Sequence, residues 1–423
     1  MNLTSAKQHI FIIGSVWVEP KSSAAGSRML QLIELFLTQG WEITFGTTSK
    51  KNANSLDLIE LGVKEVSLKL NDESFDHAIC KLSPSIVVFD RFMTEEQFGW
   101  RVMEQCPGAL RILDTEDLHC LRKTRHEALK KGIVFSEELL LSSEIAKREI
   151  AAMYRCDFSL IISTYELQLL EQTFNLDTDL MYHLPFLYPK IDQEKEQLWK
   201  SFKEREHFIS IGNFLHAPNT DATIQLKKHI WPQIRAKLPE AELHIYGAYP
   251  TQQVLEFNNE KEGFYVHGFI EDANEVIEKS RILLAPLRFG AGIKGKLTDA
   301  MYNGTPSVTT TIGTEGMHEE LEWNGFVEDD PCQFVEKTIQ LYSEQDIWER
   351  AQQNGVKIIN SLYDKQKLDK AFVSHITHIQ SNLKAFRKKN FIGSLFQHHT
   401  LQSTKYMSKW IEEKQRNQSI GGT

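Results

Sequence analysis

The segment from residue 282 to residue 317 constrains the fold more than any other part of this 423-residue chain. It opens with an apolar run, Ile282 to Pro286, that predicts a short buried strand of a parallel sheet. After a glycine-rich loop, apolar side chains recur at helical spacing over about 295–303. Gly304 and Pro306 end the predicted helix, because glycine tolerates a left-handed residue there and proline forbids continuation. A second strand and a second glycine loop follow at 307–311 and 313–316.

The loop between the first strand and the helix has the composition of an anion site. Its glycines leave the backbone free of side chains, at positions 290, 292 and 295. Lys294 and Lys296 add two positive charges where the helix begins, and free N–H groups together with the helix dipole favour phosphate. Asp299, one turn further, is placed to accept hydrogen bonds from a ribose. The segment predicts a nucleotide-diphosphate site, although such a loop taken alone is more often a solvated turn.

This segment resembles the donor-binding signature of retaining family 4 glycosyltransferases (glycosyl transferases group 1). Those enzymes carry two acidic residues separated by seven others, then a Gly-x-Pro turn and a strand. Asp299, Gly304 and Pro306 match the second half, whereas Ala291 stands where the first acidic residue is expected. The resemblance implies the GT-B fold, an α/β architecture of two Rossmann-like doubly wound domains that face each other across a cleft.

The resemblance also places donor-binding residues in the second half of the chain. It implies that the loop beginning at Gly212 opens the donor domain, that Gly268 and Phe269 lie against the base, and that Glu315, Gly316 and Met317 bind the sugar hydroxyls and phosphate. Relatives place an arginine and a lysine in the first of these loops, and here neither occurs before Lys227. Lys294 and Lys296 are the predicted substitutes, and Gly292 is a further predicted donor-binding residue. Glu315 is equally consistent with a first-turn acid that stabilises a helix.

The first half of the chain begins as a strand–loop–helix–strand unit, which is the opening of a doubly wound sheet. The apolar strand at residues 9–14 leads into a loop of small residues, and the resemblance implies that this loop faces the cleft near the acceptor. The candidates there are Ser23, Gly26 and Arg28. The alternatives are a simple structural turn and a solvated arginine.

A strand over 110–113 runs into a polar cluster at 114–122. Ligands of open α/β sheets bind beyond the carboxyl ends of strands, so this cluster is placed for function. The resemblance implies that a histidine here approaches the sugar ring. His119 is the candidate, and Asp117 is a second cleft residue. The alternative is that the acids cap the next helix and that His119 packs against it.

The predicted domains are 1–203, an acceptor domain, and 204–387, a donor domain. GT-B proteins end with a helix that crosses back to the first domain, and the amphipathic stretch at about 388–415 is assigned to that role. Its alternative role is a contact with a membrane surface, because Tyr406, Met407 and Trp410 lie in a basic setting.

Composition excludes several classes of protein. The net charge of -9 argues against nucleic-acid binding. The five cysteines form no CxxC pair, which favours reduced thiols and a cytoplasmic location and argues against a zinc site. No apolar stretch reaches the roughly 20 residues needed to span a bilayer, so any contact with the inner membrane face would be peripheral.

The predicted function is transfer of a sugar from a nucleotide-sugar to a glycan, a lipid-linked sugar or a protein. His119, Lys294 and Lys296 are the predicted catalytic residues, and the lysines stabilise the departing diphosphate, where negative charge develops. The resemblance implies retained anomeric configuration, no metal and no other cofactor. A nucleotide-sugar epimerase and a non-catalytic nucleotide-sugar-binding partner are the alternatives. The sequence does not identify the sugar, the base, the acceptor or the oligomeric state.

Overall fold

A computed structural model describes residues 8–420, and within them the side chains other than those of 399–401 and 419–420. The first domain is built on a seven-stranded parallel sheet in the order β3-β2-β1-β4-β5-β6-β7. Its strands are β1 (His9–Gly14), β2 (Glu42–Thr47), β3 (Lys64–Ser67), β4 (Ile86–Asp90), β5 (Leu110–Asp114), β6 (Phe158–Ile161) and β7 (Met181–His183).

The second domain is built on a six-stranded parallel sheet in the order β10-β9-β8-β11-β12-β13. Its strands are β8 (Glu206–Ile211), β9 (Leu243–Tyr246), β10 (Phe264–Gly268), β11 (Ser280–Ala285), β12 (Ser307–Thr309) and β13 (Gly325–Val327). The strand order reverses between β1 and β4 in the first sheet and between β8 and β11 in the second. Such switch points are where doubly wound sheets bind ligands.

Helices cover both faces of the two sheets. In the first domain they are α1 (Ala24–Thr38), α2 (Ser74–Leu82), α3 (Phe92–Gln105), α4 (His119–Lys131), α5 (Glu137–Leu141), α6 (Glu144–Arg155) and α7 (Thr164–Gln172). The connection and the second domain hold α8 (Gln193–Leu198), α9 (Ala217–Gln225), α10 (Trp231–Lys237), α11 (Gln252–Leu255), α12 (Ala273–Lys279), α13 (Gly295–Tyr302), α14 (Thr311–Thr314), α15 (Pro331–Ser343) and α16 (Gln345–Leu362). The C-terminal helices are α17 (Lys365–Ser381), α18 (Leu383–Lys389) and α19 (Phe391–Ile420).

Each sheet separates two apolar layers, as the sequence of β1 illustrates. Its side chains alternate between the layers, so Phe11 and Ile13 join one cluster while Ile10 and Ile12 join the other. All four are fully buried. Strands covered on both faces read as continuous apolar runs, which is why they were recognisable in the sequence.

The chain returns to the first domain before residue 388, which is the predicted start of the returning helix. Helix α17 already packs there, with Phe372, Ile376 and Ile379 in the cluster that contains β1. Two crossing segments lie side by side, because the Tyr188 N–H donates to the Tyr363 carbonyl at 2.9 Å and the Lys365 N–H donates to the Tyr188 carbonyl at 2.8 Å. The second domain therefore ends with α16, and the predicted return segment falls in α18 and α19, of which α19 contacts α3 and α6. Residues 1–7 of the predicted first domain lie outside the described residues.

Among the described residues, none of the helices is both long enough and apolar enough to cross a membrane.

Candidate active site

The candidate site centres on the loop from residue 286 to residue 294, hereafter the lysine loop, and on the first turn of α13. Lys294 precedes the helix and is 9% exposed, and its Nζ donates to the Gly292 carbonyl at 2.9 Å. Lys296 Nζ donates to Asn219 Oδ1 at 2.8 Å, at the start of α9. Burial lowers the pKa of Lys294 to about 8 and the pKa of Lys296 to about 7. Because these amines have lost much of their hydration, a bound anion would stabilise their charged forms. The helix N-terminus favours an anion at the same place.

A second helix N-terminus points at the same place. A Cβ built on Gly295 would lie 2.8 Å from the Cβ of Ala24, the first residue of α1. Two helix starts, one from each domain, therefore converge beside the two lysines. Partial positive charge from both helices adds to that of the amines, and backbone N–H groups at such positions bind phosphate.

The cleft loop before α1 contains three predicted residues with different roles in the structure. Ser23 caps α1 by accepting the Gly26 N–H at 3.0 Å, and a Cβ on Gly26 would collide with the Glu19 carbonyl at 2.2 Å. Arg28 does not face the cleft. It is 1% exposed, its Nε donates to Asp114 Oδ1 at 3.1 Å, and it also donates to the Leu184 carbonyl at 2.7 Å. Arg28 therefore holds α1 against β5 and the end of the first sheet.

His119 and Asp117 belong to the first domain, and Asp117 lies against the lysine loop. His119 begins α4, and its ring packs edge-on against Phe92 at 5.8 Å. Its Nε2 lies 3.5 Å from Asp117 Oδ1, and Arg122 Nε donates to the other Asp117 oxygen at 2.6 Å. Burial lowers the pKa of His119 to about 4, so its imidazole is neutral at physiological pH. Burial opposes ionisation of Asp117, but Arg122 and His119 outweigh it, so its pKa lies well below the usual range.

Gly292 brings the lysine loop directly onto the first domain. It adopts φ +63°, and its N–H donates to Glu166 Oε1 at 2.8 Å. The same carboxylate oxygen accepts the Leu118 N–H at 2.9 Å, so Glu166 joins the loops of both domains. A Cβ on Gly292 would lie 2.8 Å from the Asp117 Cβ. Burial raises the pKa of Glu166 to about 8.

The second glycine loop, residues 313–316, also meets the first domain. Arg125 binds the Glu315 carboxylate with both nitrogens, at 2.6 and 2.7 Å, and donates to the Gly290 carbonyl at 2.9 Å. Gly316 has φ +68°, and a Cβ there would lie 2.1 Å from Ser163 Oγ. The Glu315 carboxylate, predicted to bind sugar hydroxyls, is thus already paired with a buried arginine.

Met317 and Asp299 are engaged within the protein. The Met317 N–H donates to the Thr314 carbonyl at 3.0 Å, and its own carbonyl accepts the Tyr363 hydroxyl at 2.9 Å. The Tyr188 hydroxyl donates to Asp299 Oδ1 at 2.6 Å, and burial raises the pKa of Asp299 to about 6. Asp299 thus fastens α13 to a segment that crosses between the domains. Its predicted contact with a ribose stays a prediction.

Gly212, Gly247 and Gly268 lie at the ends of three neighbouring strands, β8, β9 and β10. A Cβ on Gly212 would lie 2.8 Å from Lys296 Nζ, so glycine makes room for that amine. The Gly247 N–H donates to the Gly268 carbonyl at 2.7 Å. Phe269 follows with 45% of its surface exposed, as a base-binding residue would require.

Three other groups near the site were not singled out by the sequence pattern. Arg125 and Arg122 lie in a charged stretch that is typical of a solvated helix, and Glu166 lies in the first turn of α7. A usable signal was present, because His119, Arg122 and His126 occur at i, i+3 and i+7 of one helix. His126 stacks on Phe289 of the lysine loop at 4.3 Å. Burial, with the charges of Arg122 and Lys296, lowers the pKa of His216 to about 4, and the Asp117 carboxylate opposes that shift.

One cluster of metal-ligand types, His207, Glu242 and His244, occurs among the described residues. It lies at the amino ends of β8 and β9, whereas the lysine loop follows the carboxyl end of β11. The Glu242 N–H donates to His207 Nδ1 at 3.2 Å, so a neutral His207 carries its proton on Nε2, the nitrogen that faces the carboxylate. The absence of a metal from the reaction stays a prediction.

Residues 205–344 match the model of the family described as Glycosyl transferases group 1. The second domain is a glycosyltransferase domain. Comparison with curated proteins gives no match.

Solved structures share the fold of the whole chain at low sequence identity. Sucrose-phosphate synthase from Thermosynechococcus elongatus has a TM-score of 0.67 at 15% identity, over 89% of this chain and 100% of that chain. A glycosyltransferase from Rickettsia africae ESF-5 has a TM-score of 0.61 at 11% identity, over 90% and 98%. Anabaena HepE in complex with UDP-glucose has a TM-score of 0.62 at 11% identity, over 88% and 99%. The predicted GT-B fold is confirmed.

Proposed function

We propose that this glycosyltransferase moves a sugar from a nucleoside-diphosphate-sugar to an acceptor hydroxyl, with retained configuration and without a metal ion. The observation that carries the proposal is the pair of amines, buried Lys294 and half-buried Lys296, at the converging starts of α1 and α13. A diphosphate there would meet two cations and two helix dipoles. This arrangement supplies positive charge without a divalent ion.

In the proposed reaction the bond between the anomeric carbon and the diphosphate oxygen breaks while the two lysines hold the diphosphate. The acceptor oxygen bonds to the anomeric carbon, and the departing diphosphate oxygen accepts the proton of the acceptor hydroxyl. Negative charge develops on the bridging oxygen, and preorganised cations in a site closed to water stabilise it most effectively. Neutral His119 is proposed to exchange a hydrogen bond with a sugar hydroxyl. The contacts of Gly292 and of Glu315 with the first domain are proposed to exclude water once the donor is bound.

The acceptor is proposed to be a glycan, a lipid-linked sugar or a protein. The structures that share this fold include Staphylococcus aureus TarM with alpha-GlcNAc-glycerol and UDP, and WaaG, an enzyme of lipopolysaccharide biosynthesis. A shared fold hosts different substrates, so the fold alone does not select among the three classes.

The donor site is tested with a panel of nucleoside diphosphates and their sugars, with and without magnesium. A ligand at 100 times its Kd adds about 2.7 kcal/mol to the native state, so we expect the Tm to rise by about 5 °C or more for one base. The rise should not depend on magnesium, and it should be smaller in Lys296→Ala, which keeps Lys294 as the remaining amine. Lys279→Ala, which removes an exposed lysine, is the control. If no nucleotide shifted the Tm, the proposed donor site would be contradicted. Retention is tested separately, by determining the anomeric configuration of the product by NMR.

Donor affinity should fall as pH rises above neutrality. In the unliganded protein the pKa of Lys296 is about 7, so at higher pH the neutral amine must take up a proton to bind a diphosphate. Linkage then predicts a loss of affinity of up to about tenfold per pH unit above that pKa. Calorimetry in buffers of different ionisation enthalpy measures the proton uptake directly. In Lys296→Ala, donor affinity should keep only the pH dependence that is due to Lys294. If the pH profile of that variant matched the wild type, Lys296 would not be the group that binds the diphosphate.

A further inference from the structure

Helix α19 lies on the first domain with a polar face turned inwards. Arg101 pairs with Glu412, and Lys405 pairs with Glu104. The Ser408 hydroxyl donates to Asn71 Oδ1 at 2.8 Å, and Arg416 donates to Glu73 at 3.1 Å. Lys405, Ser408, Glu412 and Arg416 recur at intervals of three and four, so they occupy one side of the helix.

The opposite side of α19 is apolar and exposed. Six large apolar side chains have exposures between 46% and 67%, and these are Phe391, Ile392, Leu395, Tyr406, Met407 and Trp410. At 3.6 residues per turn they fall within an arc of about 160°, and they extend over about 28 Å of helix. A helix that packs on a globular domain normally turns its apolar stripe inwards. Here the apolar stripe faces away from the domain and is available to bind another surface.

Positive charge surrounds this exposed face, although the whole chain carries a net charge of -9. Exposed lysines lie on α18, at 384, 388 and 389, and on α19, at 409 and 414. Lys389 lies 3.5 Å from Asp179, and Lys414 lies 5.3 Å from the Trp410 ring. Among the described residues of α18 and α19, the exposed acid is Glu413, which pairs with Arg416. Lysines beside an apolar stripe of Trp, Tyr, Phe and Met are the composition of a helix that lies in a lipid interface.

We infer that α18 and α19 bind an anionic lipid surface, with α19 parallel to the bilayer and its apolar side chains inserted among the headgroups. The lysines then contact lipid phosphates, which attract basic segments within a Debye length. A second copy of the chain fits less well, because a twofold interface would bring the same basic face against itself. The inference goes beyond the proposed transferase activity, and it holds whatever sugar or acceptor the site takes.

Flotation of the full chain with lipid vesicles tests the inference. The protein should rise with vesicles of phosphatidylcholine and phosphatidylglycerol and stay behind with phosphatidylcholine alone. The combined changes Tyr406→Ser, Met407→Ser and Trp410→Ser should lower the partition coefficient about tenfold or more, because they remove three insertable side chains. The pair Lys409→Glu and Lys414→Glu should abolish the preference for the anionic vesicles.

Leu198→Ser is the matched control, because it removes a side chain that is 79% exposed and lies outside α19. Melting curves of all variants should match that of the wild type, since the altered side chains face away from the domain. Equal flotation of the wild type and the triple variant would overturn the inference. So would a dimer, detected by light scattering without lipid, that the triple variant abolishes, because the face would then cover a second copy.

Discussion

The combined Lys294→Ala and Lys296→Ala variant is expected to lose a factor of about 10³ or more in kcat, because each preorganised donor to a developing anion contributes about 10² to 10³. Lys294 is buried and Lys296 is half-buried, and among the residues that the structure describes neither amine forms an ion pair with a carboxylate: Lys294 donates to a backbone carbonyl and Lys296 to an amide oxygen. Their charge is therefore available to the substrate. The measurement is the initial rate of nucleoside diphosphate release from the nucleotide-sugar that the panel identifies.

The same variant separates a catalytic from a structural role. Burial lowers the pKa of both amines, so their charged forms destabilise the unliganded fold. Removing them should leave the Tm of the unliganded protein unchanged or higher, while the nucleotide-induced shift disappears. Lys279→Ala should leave both the rate and the Tm as in the wild type. A double variant that turns over normally would refute the role of the lysines, and one with a much lower Tm would show that they serve the fold.

Local features of the site could be predicted from the sequence because they depend on neighbours in the chain. The helix that begins at Gly295 was predicted from an apolar repeat, a following glycine and a proline, and the structure has it at Gly295–Tyr302. Contacts between distant segments left no such pattern. Arg28 pairs with Asp114 across 86 positions and Arg125 pairs with Glu315 across 190, and neither partner is marked by its own surroundings.

The C-terminal helices show that an apolar pattern can be predicted correctly while the surface that it contacts is predicted wrongly. The sequence pattern predicts that the apolar stripe on α19 packs on the first domain, but the structure turns this stripe outwards. The return is made by α17, whose Phe372, Ile376 and Ile379 stand at i, i+4 and i+7. That spacing predicts a buried helix face as clearly as the stripe on α19 does. Periodicity identifies an apolar face without identifying what covers it.

The sequence predicts that the glycines of the two loops leave backbone N–H groups accessible to phosphate. The structure shows a second role for three of these glycines, which is to let the two domains approach each other. Gly292, Gly295 and Gly316 are positions where the second domain lies directly against the first, at Asp117, Ala24 and Ser163. A side chain at any of them would hold the domains apart. If the reaction requires the closed arrangement, these glycines limit the rate without touching the substrate.

Gly292→Ala should therefore lower kcat about 100-fold, the cost of misplacing reacting groups by about 1 Å. The new methyl would lie 2.8 Å from the Asp117 Cβ and 3.3 Å from the Glu116 carbonyl, and neither atom can move away by rotating a side chain. The nucleotide-induced shift in Tm should survive, because the proposed phosphate site lies mainly on the second domain. Initial rates and thermal shifts on the same preparation measure the two effects separately.

Gly40→Ala is the matched control for backbone strain. Gly40 has φ +71°, close to the +63° of Gly292, but a Cβ there meets nothing within 4 Å. That variant should cost about 1 kcal/mol of stability and leave kcat unchanged. If Gly40→Ala and Gly292→Ala lost the same activity, strain alone would explain the effect. If Gly292→Ala kept its full rate, the contact with Asp117 would not belong to the reactive arrangement, and the domains would react while further apart than the structure holds them.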